Sequence, residues 1–175
     1  MKLGKSLLNQ IQLKAILPFV VKWAKDHEKR ILREGKPLRE REREDALSVG
    51  VKEVDKVKIL EVEEIPLPEN PIVRMAMERT GFTGIDFVGI SFNKGIYIKK
   101  GERYRRSLMV HELCHTAQAE RLGGTEEFIK EYAKEVVETG YHNCSLEVEA
   151  RDKAREIMAN QNEKNGKENI ETEKA

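Results

Sequence analysis

The segment that decides the fold of this chain is residues 105–124, which read RRSLMVHELCHTAQAERLGG. Its apolar residues recur at helical spacing, and Gly123-Gly124 supplies a stop signal. No residue between Arg105 and Leu122 breaks a helix. The segment therefore predicts an amphipathic helix from Arg105 to Leu122, with one face turned to a core.

This helix carries an HExxH pattern, in which His111 and His115 stand four residues apart. Residues i and i+4 lie one above the other on a helix, so both imidazoles can converge on one small cation. Glu112 lies beside them, where its carboxylate can take a proton from a water molecule. The alternative is an ordinary surface helix with two solvated histidines, but the apolar neighbours of this pair favour the metal site.

A two-histidine zinc site needs a third protein ligand and an open position. The sequence predicts a second helix from Thr125 to Thr139, a break at Gly140 and a third helix from about Ser145 to Met158. Helices joined by such a turn can pack antiparallel, which would return Glu147 to the two imidazoles. Glu147 is therefore the candidate third ligand. The alternatives are Glu149 on another face of the same helix and the turn residues His142 and Cys144.

The motifs in residues 91–155 resemble those of a known family, the gluzincin-type zinc metallopeptidase domains, particularly small bacterial ones. The residues that carry the resemblance are His111-Glu112-Leu113-Cys114-His115, Gln118, Leu122-Gly123-Gly124, Phe128, Tyr132, Gly140-Tyr141 and Leu146-Glu147-Val148-Glu149-Ala150. In the family the corresponding motifs run HELxHxxQ, then a Gly-Tyr turn, then Asn-Pro-x-Glu-x-Glu-Ala. Residues 50–92 resemble the family more weakly.

The resemblance implies that His111, His115 and Glu147 bind Zn²⁺ and that Glu112 is the catalytic base. It also implies an α+β fold, a mostly helical zincin-like domain with a small antiparallel sheet next to the HExxH helix. The chain departs from the family at Cys144-Ser145, where Asn-Pro is usual. It departs again at Arg151, where many gluzincins have an aspartate that orients the first histidine.

A hairpin precedes the HExxH helix, with strands predicted at residues 85–92 and 96–100 and a turn at Asn93-Lys94-Gly95. In metallopeptidases of this build, the strand before the active helix is often an exposed edge that holds an extended peptide. By resemblance, this role is assigned to Gly95 through Lys99. A plain structural hairpin is the alternative.

A peptidase also needs a donor for the oxyanion that forms on the attacked carbonyl. Tyr141 and His142 are the candidates nearest in the chain to Glu147. Each has an alternative interpretation, Tyr141 as a core aromatic and His142 as an exposed turn residue.

The rest of the chain predicts further helices and one strand. Residues 6–33 are predicted as a helix with a kink or break at Pro18, and residues 38–49 as a short charged helix. Residues 57–62 alternate as a half-buried strand, and Asn70 with Pro71 opens a helix that runs to Gly81. We therefore expect a single domain over residues 1–160, made of an N-terminal helical region (1–50) and a core (51–160), and a disordered charged tail over residues 161–175.

Composition excludes some functions. The net charge is only +1 although 36% of the 175 residues are charged, so no overall field favours nucleic acid or an anionic membrane. The alternating charges of residues 39–44 predict a solvated helix face for the same reason. Leu13 to Ala24 is too short and too polar to span a bilayer. Docking on a membrane surface through Phe19, Val20 and Trp23 is the alternative to internal packing.

These observations together predict a zinc-dependent metallopeptidase that acts on a peptide or protein substrate. Two cysteines are too few for a disulfide framework, which favours the reducing cytoplasm. The first alternative is a non-catalytic zinc-bound module that regulates or binds a partner. A weaker alternative is an amidase or deformylase with Cys144 as ligand.

Overall fold

The computed structural model describes residues 2–79 and 87–172. Within these ranges the helices are α1 (Lys2–Glu34), α2 (Glu40–Ser48), α3 (Pro71–Arg79), α4 (Arg106–Leu122), α5 (Thr125–Thr139) and α6 (Ser145–Thr172). The strands there are β1 (Lys36–Pro37), β2 (Lys58–Val62), β3 (Gly89–Phe92) and β4 (Gly95–Lys99). The prediction of a mostly helical α+β fold is confirmed.

The four strands form one sheet in the order β1-β2-β4-β3. The hairpin of β3 and β4 is antiparallel, as predicted, and Asn93 in its turn has a φ of 53°. β2 and β4, however, run parallel. The long connection between them, which contains α3 and β3, returns the chain in the same direction. The sheet is therefore mixed, and the prediction of an antiparallel sheet was wrong in this respect.

β4 lies in the interior of the sheet, because β2 pairs with one of its edges and β3 with the other. Residues Gly95 through Lys99 therefore cannot be the exposed edge that was assigned to them. The run Ile96-Tyr97-Ile98 is completely buried, which is typical of a strand covered on both faces. Among the described strands, β3 holds the free edge on this side of the sheet.

Helices cover both faces of the sheet. Ile96 and Ile98 of β4 pack with Met109 and Leu113 of α4, whereas Tyr97 points to the opposite face and packs in the cluster that contains α1 and α5. This alternation is the period-two geometry of a strand. α4 therefore lies directly on the sheet, with Met109 and Leu113 turned to it.

Glycines end α4 and α5 where the sequence predicts. Gly123 adopts a left-handed φ of 106°, and its N–H donates to the carbonyls of Ala119 and Glu120. Gly140, with a φ of 82°, ends α5 and leads through a short 3₁₀ turn, Tyr141–Asn143, into α6. α6 then packs along α4. This path brings the first turn of α6 to the HExxH helix.

α6 is longer than expected. Its backbone is helical to Thr172, whereas the sequence analysis ended the helix near Met158 and assigned residues 161–175 to a disordered tail. Residues 159–172 are mostly Glu, Lys, Asn and Gln with one glycine, so few of them oppose the extension of an established helix. Residues 173–175 lie outside the described ranges.

α1 continues through Pro18, so the predicted break is absent from this helix. Its inner face buries Val21, Ala24 and Ile31, and it packs along α5. Val20 and Trp23 also pack against this core. Of the three residues considered for membrane docking, Phe19 alone is well exposed, at 58%. In the described part of the chain, no helix is long and apolar enough to cross a membrane.

The charged helix α2 differs from the solvated face that its sequence predicts. Glu42 and Asp45 are buried, and each binds an arginine of the segment that leads into α4. Glu42 accepts hydrogen bonds of 2.8 and 2.7 Å from Arg103, and Asp45 lies 2.6 Å from Arg106. The alternating charges gave no sign that two carboxylates of this helix point inward. Their ion pairs with Arg103 and Arg106 attach α2 to the start of α4.

Two predicted elements extend beyond the described residues. Asn70 caps α3 as predicted, since its Oδ1 accepts from the N–H groups of Ile72 and Val73. The predicted end of this helix at Gly81 and the predicted start of the hairpin at Ile85 lie in the stretch 80–86, outside the described ranges.

Candidate metal centre

The two histidines of the HExxH pattern lie on successive turns of α4 and face each other. Their Nε2 atoms are 3.1 Å apart, and the ring planes are nearly perpendicular. His115 is buried, and His111 is partly exposed. The i, i+4 spacing therefore brings both ring nitrogens to one point, as the sequence predicts.

Glu147, in the first turn of α6, reaches the same point. Its two carboxylate oxygens lie 3.4 Å from Nε2 of His111 and 3.3 Å from Nε2 of His115. One ligand atom from each of the three residues lies within 4.8 Å of the others. The structure therefore brings together the three residues proposed as ligands, and this group could hold a metal ion.

Tyr132 of α5 and Arg151 of α6 contact the Glu147 carboxylate, one at each oxygen. The Tyr132 hydroxyl donates a hydrogen bond of 2.7 Å to Oε1, and Arg151 Nη1 lies 3.6 Å from Oε2. Burial raises the pKa of Glu147, but the two imidazoles and Tyr132 outweigh it and hold the pKa well below its ordinary value. Glu147 is therefore an anion at neutral pH.

Tyr132 is among the residues that carry the family resemblance, but no role was given to it from the sequence, so this contact was missed. A signal was present, because a tyrosine in an otherwise apolar stripe needs a hydrogen-bond partner for its hydroxyl when it is buried. The sequence does not say which partner that is.

Gln118 orients His115 and links it to α6. Its Oε1 lies 2.8 Å from Nδ1 of His115, and its Nε2 donates to the Leu146 carbonyl and to Glu149. The side-chain oxygen can only accept, so Nδ1 carries the proton and Nε2 keeps its lone pair for a cation. Gln118 was noted in the sequence as part of the motif, but no role was given to it.

Glu112 lies beside the three residues and is itself buried, at 4% exposure. Its Oε2 has no hydrogen-bond partner in the described ranges, and burial raises its pKa, an effect that the two imidazoles oppose. Gly89 of β3 packs on this side chain so closely that a Cβ there would come within 2.7 Å of Oε1. Glu112 therefore occupies a confined position between β3 and α4.

The other ligand candidates lie elsewhere. Glu149 is bound to Arg121 by hydrogen bonds of 2.9 and 2.8 Å. The buried Cys144 Sγ donates to Glu135, and burial raises the pKa of this thiol to about 11. Neither residue is part of the group that could hold a metal ion in the described chain.

The two candidates for an oxyanion donor are separated by the structure. Tyr141 lines the cavity that contains Glu112 and the histidines, and burial and the nearby carboxylates raise the pKa of its hydroxyl. His142 is exposed, and its ring packs on Tyr141. Tyr141 is therefore near the candidate site, whereas His142 is on the outer side of the turn.

The chemistry of this group fits a divalent cation. Two imidazole nitrogens and a carboxylate are ligands typical of zinc. Oε2 of Glu147, like Oε2 of Glu112, is buried without a hydrogen-bond partner in the described ranges, and buried polar atoms rarely remain so. A cation among these atoms would satisfy the carboxylate and separate the two facing nitrogens.

Two cavities meet at this site. The first, of about 180 Å³, extends between α1, α3 and α5, and apart from the site residues its walls are mainly apolar. The second, of about 310 Å³, is an open cleft on the other side. Gly89, His111, Glu112 and Tyr141 line both. A bound molecule could therefore reach the site from either cavity.

Comparisons with protein-family models, curated proteins and solved structures find no match to this chain. The fold and the site nevertheless define a class of protein by their own features. It is a mostly helical α+β chain with a mixed sheet and a His-His-Glu group on α4 and α6 that could hold a metal ion.

Proposed function

We propose that this chain is a zinc-dependent metallopeptidase, in which His111, His115 and Glu147 hold the metal and Glu112 is the general base. The observation that carries the proposal is the convergence of three ligand atoms within 4.8 Å beside a buried carboxylate. The resemblance of the HExxH and downstream glutamate motifs to gluzincin-type domains supports it.

Zinc fits this donor set, because it accepts two imidazoles and one carboxylate and leaves a position open. When bound, the metal would polarise the substrate carbonyl and lower the pKa of water. Gln118 and Tyr132 support this role by fixing His115 and Glu147, respectively.

Glu112 would take a proton from the attacking water and pass it to the leaving amine. Its Oε2 is buried without a hydrogen-bond partner in the described ranges, so this oxygen is able to accept the proton. Tyr141 is the proposed donor to the oxyanion, because it lines both cavities together with His111 and Glu112. His142 is not retained in this role.

The substrate would lie along β3, which replaces β4 as the proposed peptide-binding edge. A strand edge offers backbone N–H and C=O groups to an extended peptide. Gly89 of this strand touches the Glu112 side chain, so a peptide added here would pass next to the general base. The apolar cavity would receive an apolar side chain of that peptide.

A non-catalytic metal-bound module is the second candidate. The observation in its favour is Arg151, a cation near Glu147 at the position where many gluzincins have an acidic residue. In such a module the metal would only join α4 to α6. We further propose a cytoplasmic location, in accord with two buried free cysteines.

The test combines metal analysis with peptide cleavage by the wild type and by Glu112→Gln. The variant should keep the metal and the fold but lose cleavage, since Glu112 is a base and not a ligand. Glu40→Gln, in the exposed part of α2, is the control and should cleave normally. A wild type that binds metal but cleaves no member of a peptide library would instead support the non-catalytic module.

A further inference from the structure

We propose that the open cleft beside the metal centre binds a carboxylate group of the substrate through Arg105, Arg151 and Arg155. The inference rests on the proposed peptidase function, which it extends to a substrate class, namely peptides that place a carboxylate group in this cleft. The carboxylate is either the free C-terminus of the peptide or an Asp or Glu side chain.

The cleft adjoins the reacting groups. Its walls include His111, Glu112 and Tyr141, together with the backbone of Val88 and Gly89 at the start of β3. A peptide that lies along β3 would therefore extend from the apolar cavity, past Glu112, into this cleft. The three arginines lie at its other walls, two from α6 and one at the start of α4.

Arg151 is the fixed member of the three arginines. Its Nη2 donates a hydrogen bond of 2.5 Å to the His142 carbonyl, and its Nη1 lies 3.6 Å from Glu147. These contacts hold the guanidinium at the edge of the metal centre. A guanidinium has five N–H donors, so this side chain can still donate to a carboxylate in the cleft.

Arg105 and Arg155 are the exposed members of the three, with side chains that are 58% and 76% accessible to solvent. Each forms an ion pair three residues away on its own segment, Arg105 with Glu102 at 2.7 Å and Arg155 with Asp152 at 3.1 Å. Exposed pairs of this kind contribute about 0–1 kcal/mol. A substrate carboxylate can therefore displace these partners at little cost.

The charges of the cleft select an anion over a cation. Glu112 is its only acidic lining residue in the described chain, and that side chain is buried and turned to the metal centre. Arg105, Arg151 and Arg155 line the rest of the cleft, and of their acidic partners Glu102, Glu147 and Asp152 none is among its lining residues. Planar guanidinium groups bind carboxylates through paired hydrogen bonds, which an ammonium group of a substrate cannot accept.

The experiment measures binding and does not require cleavage. A synthetic peptide library is made in two forms, one with free C-terminal carboxylates and one with C-terminal amides. The two forms are mixed in equal amounts and offered to the immobilised Glu112→Gln protein. A second arm compares Glu-containing peptides with their Gln counterparts. Mass spectrometry of the retained peptides gives the ratio of acidic to neutral forms in each arm. The arm in which this ratio rises above 1 identifies the source of the carboxylate.

We expect the acidic form to be enriched about tenfold in one arm, the effect of one charge-assisted pair. Arg105→Gln combined with Arg155→Gln should reduce the ratio severalfold, and Arg151→Gln should do so as well. Arg43 of α2 is the control, because it pairs with Asp55 and is not among the residues that line the cleft. Arg43→Gln removes the same charge and should leave the ratio unchanged.

A ratio near one in both arms, retention of neither form, or an equal effect of Arg43→Gln would overturn the proposal. Failure of the peptidase function is a separate result, because it appears as a lack of cleavage by the wild type whatever the binding ratio. Metal content is measured for Arg151→Gln in parallel, so that a loss of metal is not mistaken for a loss of carboxylate binding.

Discussion

At the scale of single residues, the site depends on contacts that fix the direction of each ligand atom. Gln118 sets the orientation of His115, and Tyr132 with Arg151 sets that of Glu147. His111 has no such support at its Nδ1 from the described side chains, and it is the more exposed of the two histidines. The metal centre is therefore most rigid on the His115 and Glu147 side.

The first prediction concerns the two histidines. Replacement of His111 or His115 by Ala should abolish stoichiometric metal binding, because two of the three protein ligands come from this pair. Inductively coupled plasma mass spectrometry of the purified variants measures the bound metal. His142→Ala is the matched control and should retain it. Full metal content in His111→Ala or in His115→Ala would place the metal site elsewhere.

The second prediction separates Glu147 from its neighbour. Glu147→Ala should weaken zinc affinity at least a hundredfold, since it removes a buried anionic ligand. Glu149→Ala should leave the affinity within a fewfold of the wild type, because Glu149 reaches the site only through Gln118, which still donates to the Leu146 carbonyl. Competition with a chromophoric chelator gives both affinities. Equal loss in the two variants would contradict the assignment.

The third prediction concerns the room that Gly89 leaves for Glu112. A Cβ at position 89 would overlap with Oε1, Cδ and Cγ of Glu112, so Gly89→Ala should displace the base and reduce cleavage at least tenfold without loss of metal. The backbone of Gly89 is outside the left-handed region, so alanine adds no backbone strain there.

A double-mutant cycle isolates this contact. Gly89→Ala should destabilise the wild type by about 1–3 kcal/mol, the cost of an overpacked site. In a Glu112→Ala background, which lacks the overlapping atoms, Gly89→Ala should change the free energy of unfolding little. Urea denaturation of the four proteins measures the coupling between the two positions. Additive effects would show that Gly89 does not act through Glu112.

At the scale of elements, the boundaries of α4 and α5 were predictable, whereas the end of α6 and the strand order were not. The bounds of α4 and α5 agree with the sequence to within one residue, because Gly123 and Gly140 give local stop signals. The order of strands depends on which edges meet in space, and no local pattern specifies it. For that reason β4 was taken for an edge strand although it is interior.

The same division applies to the candidate site. The three proposed ligands could be named from the sequence, because i, i+4 spacing and a turn before α6 are local features. The contacts of Tyr132 and Gln118 with these ligands depend on how α5 and α6 pack on α4, which is tertiary information. The inward direction of Glu42 was missed for the same reason, since its partner Arg103 lies 61 residues away.

The fourth prediction concerns the ion pair between α2 and the start of α4. Glu42→Gln should lower the free energy of unfolding at pH 7 by about 1.5–3 kcal/mol, because it removes the anion that binds the buried Arg103 and leaves only Glu61, 3.6 Å away, as a counter-ion. Glu40→Gln, on the exposed side of α2, should change it by less than about 0.5 kcal/mol. Chemical denaturation followed by circular dichroism measures both values.

The effect of this pair should depend on pH. Burial raises the pKa of Glu42, but Arg103 and the backbone N–H of Arg39 outweigh it and lower the pKa below its ordinary value. A lowered folded-state pKa stabilises the protein above the unfolded-state value of about 4.3, and this contribution disappears as the pH falls through the folded-state value. The difference between wild type and Glu42→Gln should therefore shrink below about pH 4. A constant difference down to pH 2 would contradict this account.

At the scale of the whole molecule, the metal centre joins parts of the chain that are far apart in sequence. Two ligands lie on α4, which rests on the sheet, and the third lies on α6, after the whole of α5. α1 and α5 close the apolar cavity over the same site. The apolar cavity, the free edge of β3 and the His-His-Glu group are therefore contributed by different layers, and the folded state is a condition for the complete candidate site.

The fifth prediction follows from this arrangement. A metal that binds the folded chain through both α4 and α6 stabilises it by mass action, by about 2.7 kcal/mol when free metal is at roughly a hundred times the dissociation constant. For a chain of this length each kcal/mol corresponds to about 2–4 °C. Removal of the metal with a chelator should therefore lower the thermal midpoint by about 5–10 °C. Differential scanning calorimetry measures the shift.

Two variants serve as controls for this shift. His115→Ala should show no shift, because it lacks one of the proposed ligands. Glu112→Gln should show the full shift, because its fold and proposed ligands are intact. An equal shift in His115→Ala would mean that the chelator acts at some site other than the His-His-Glu group.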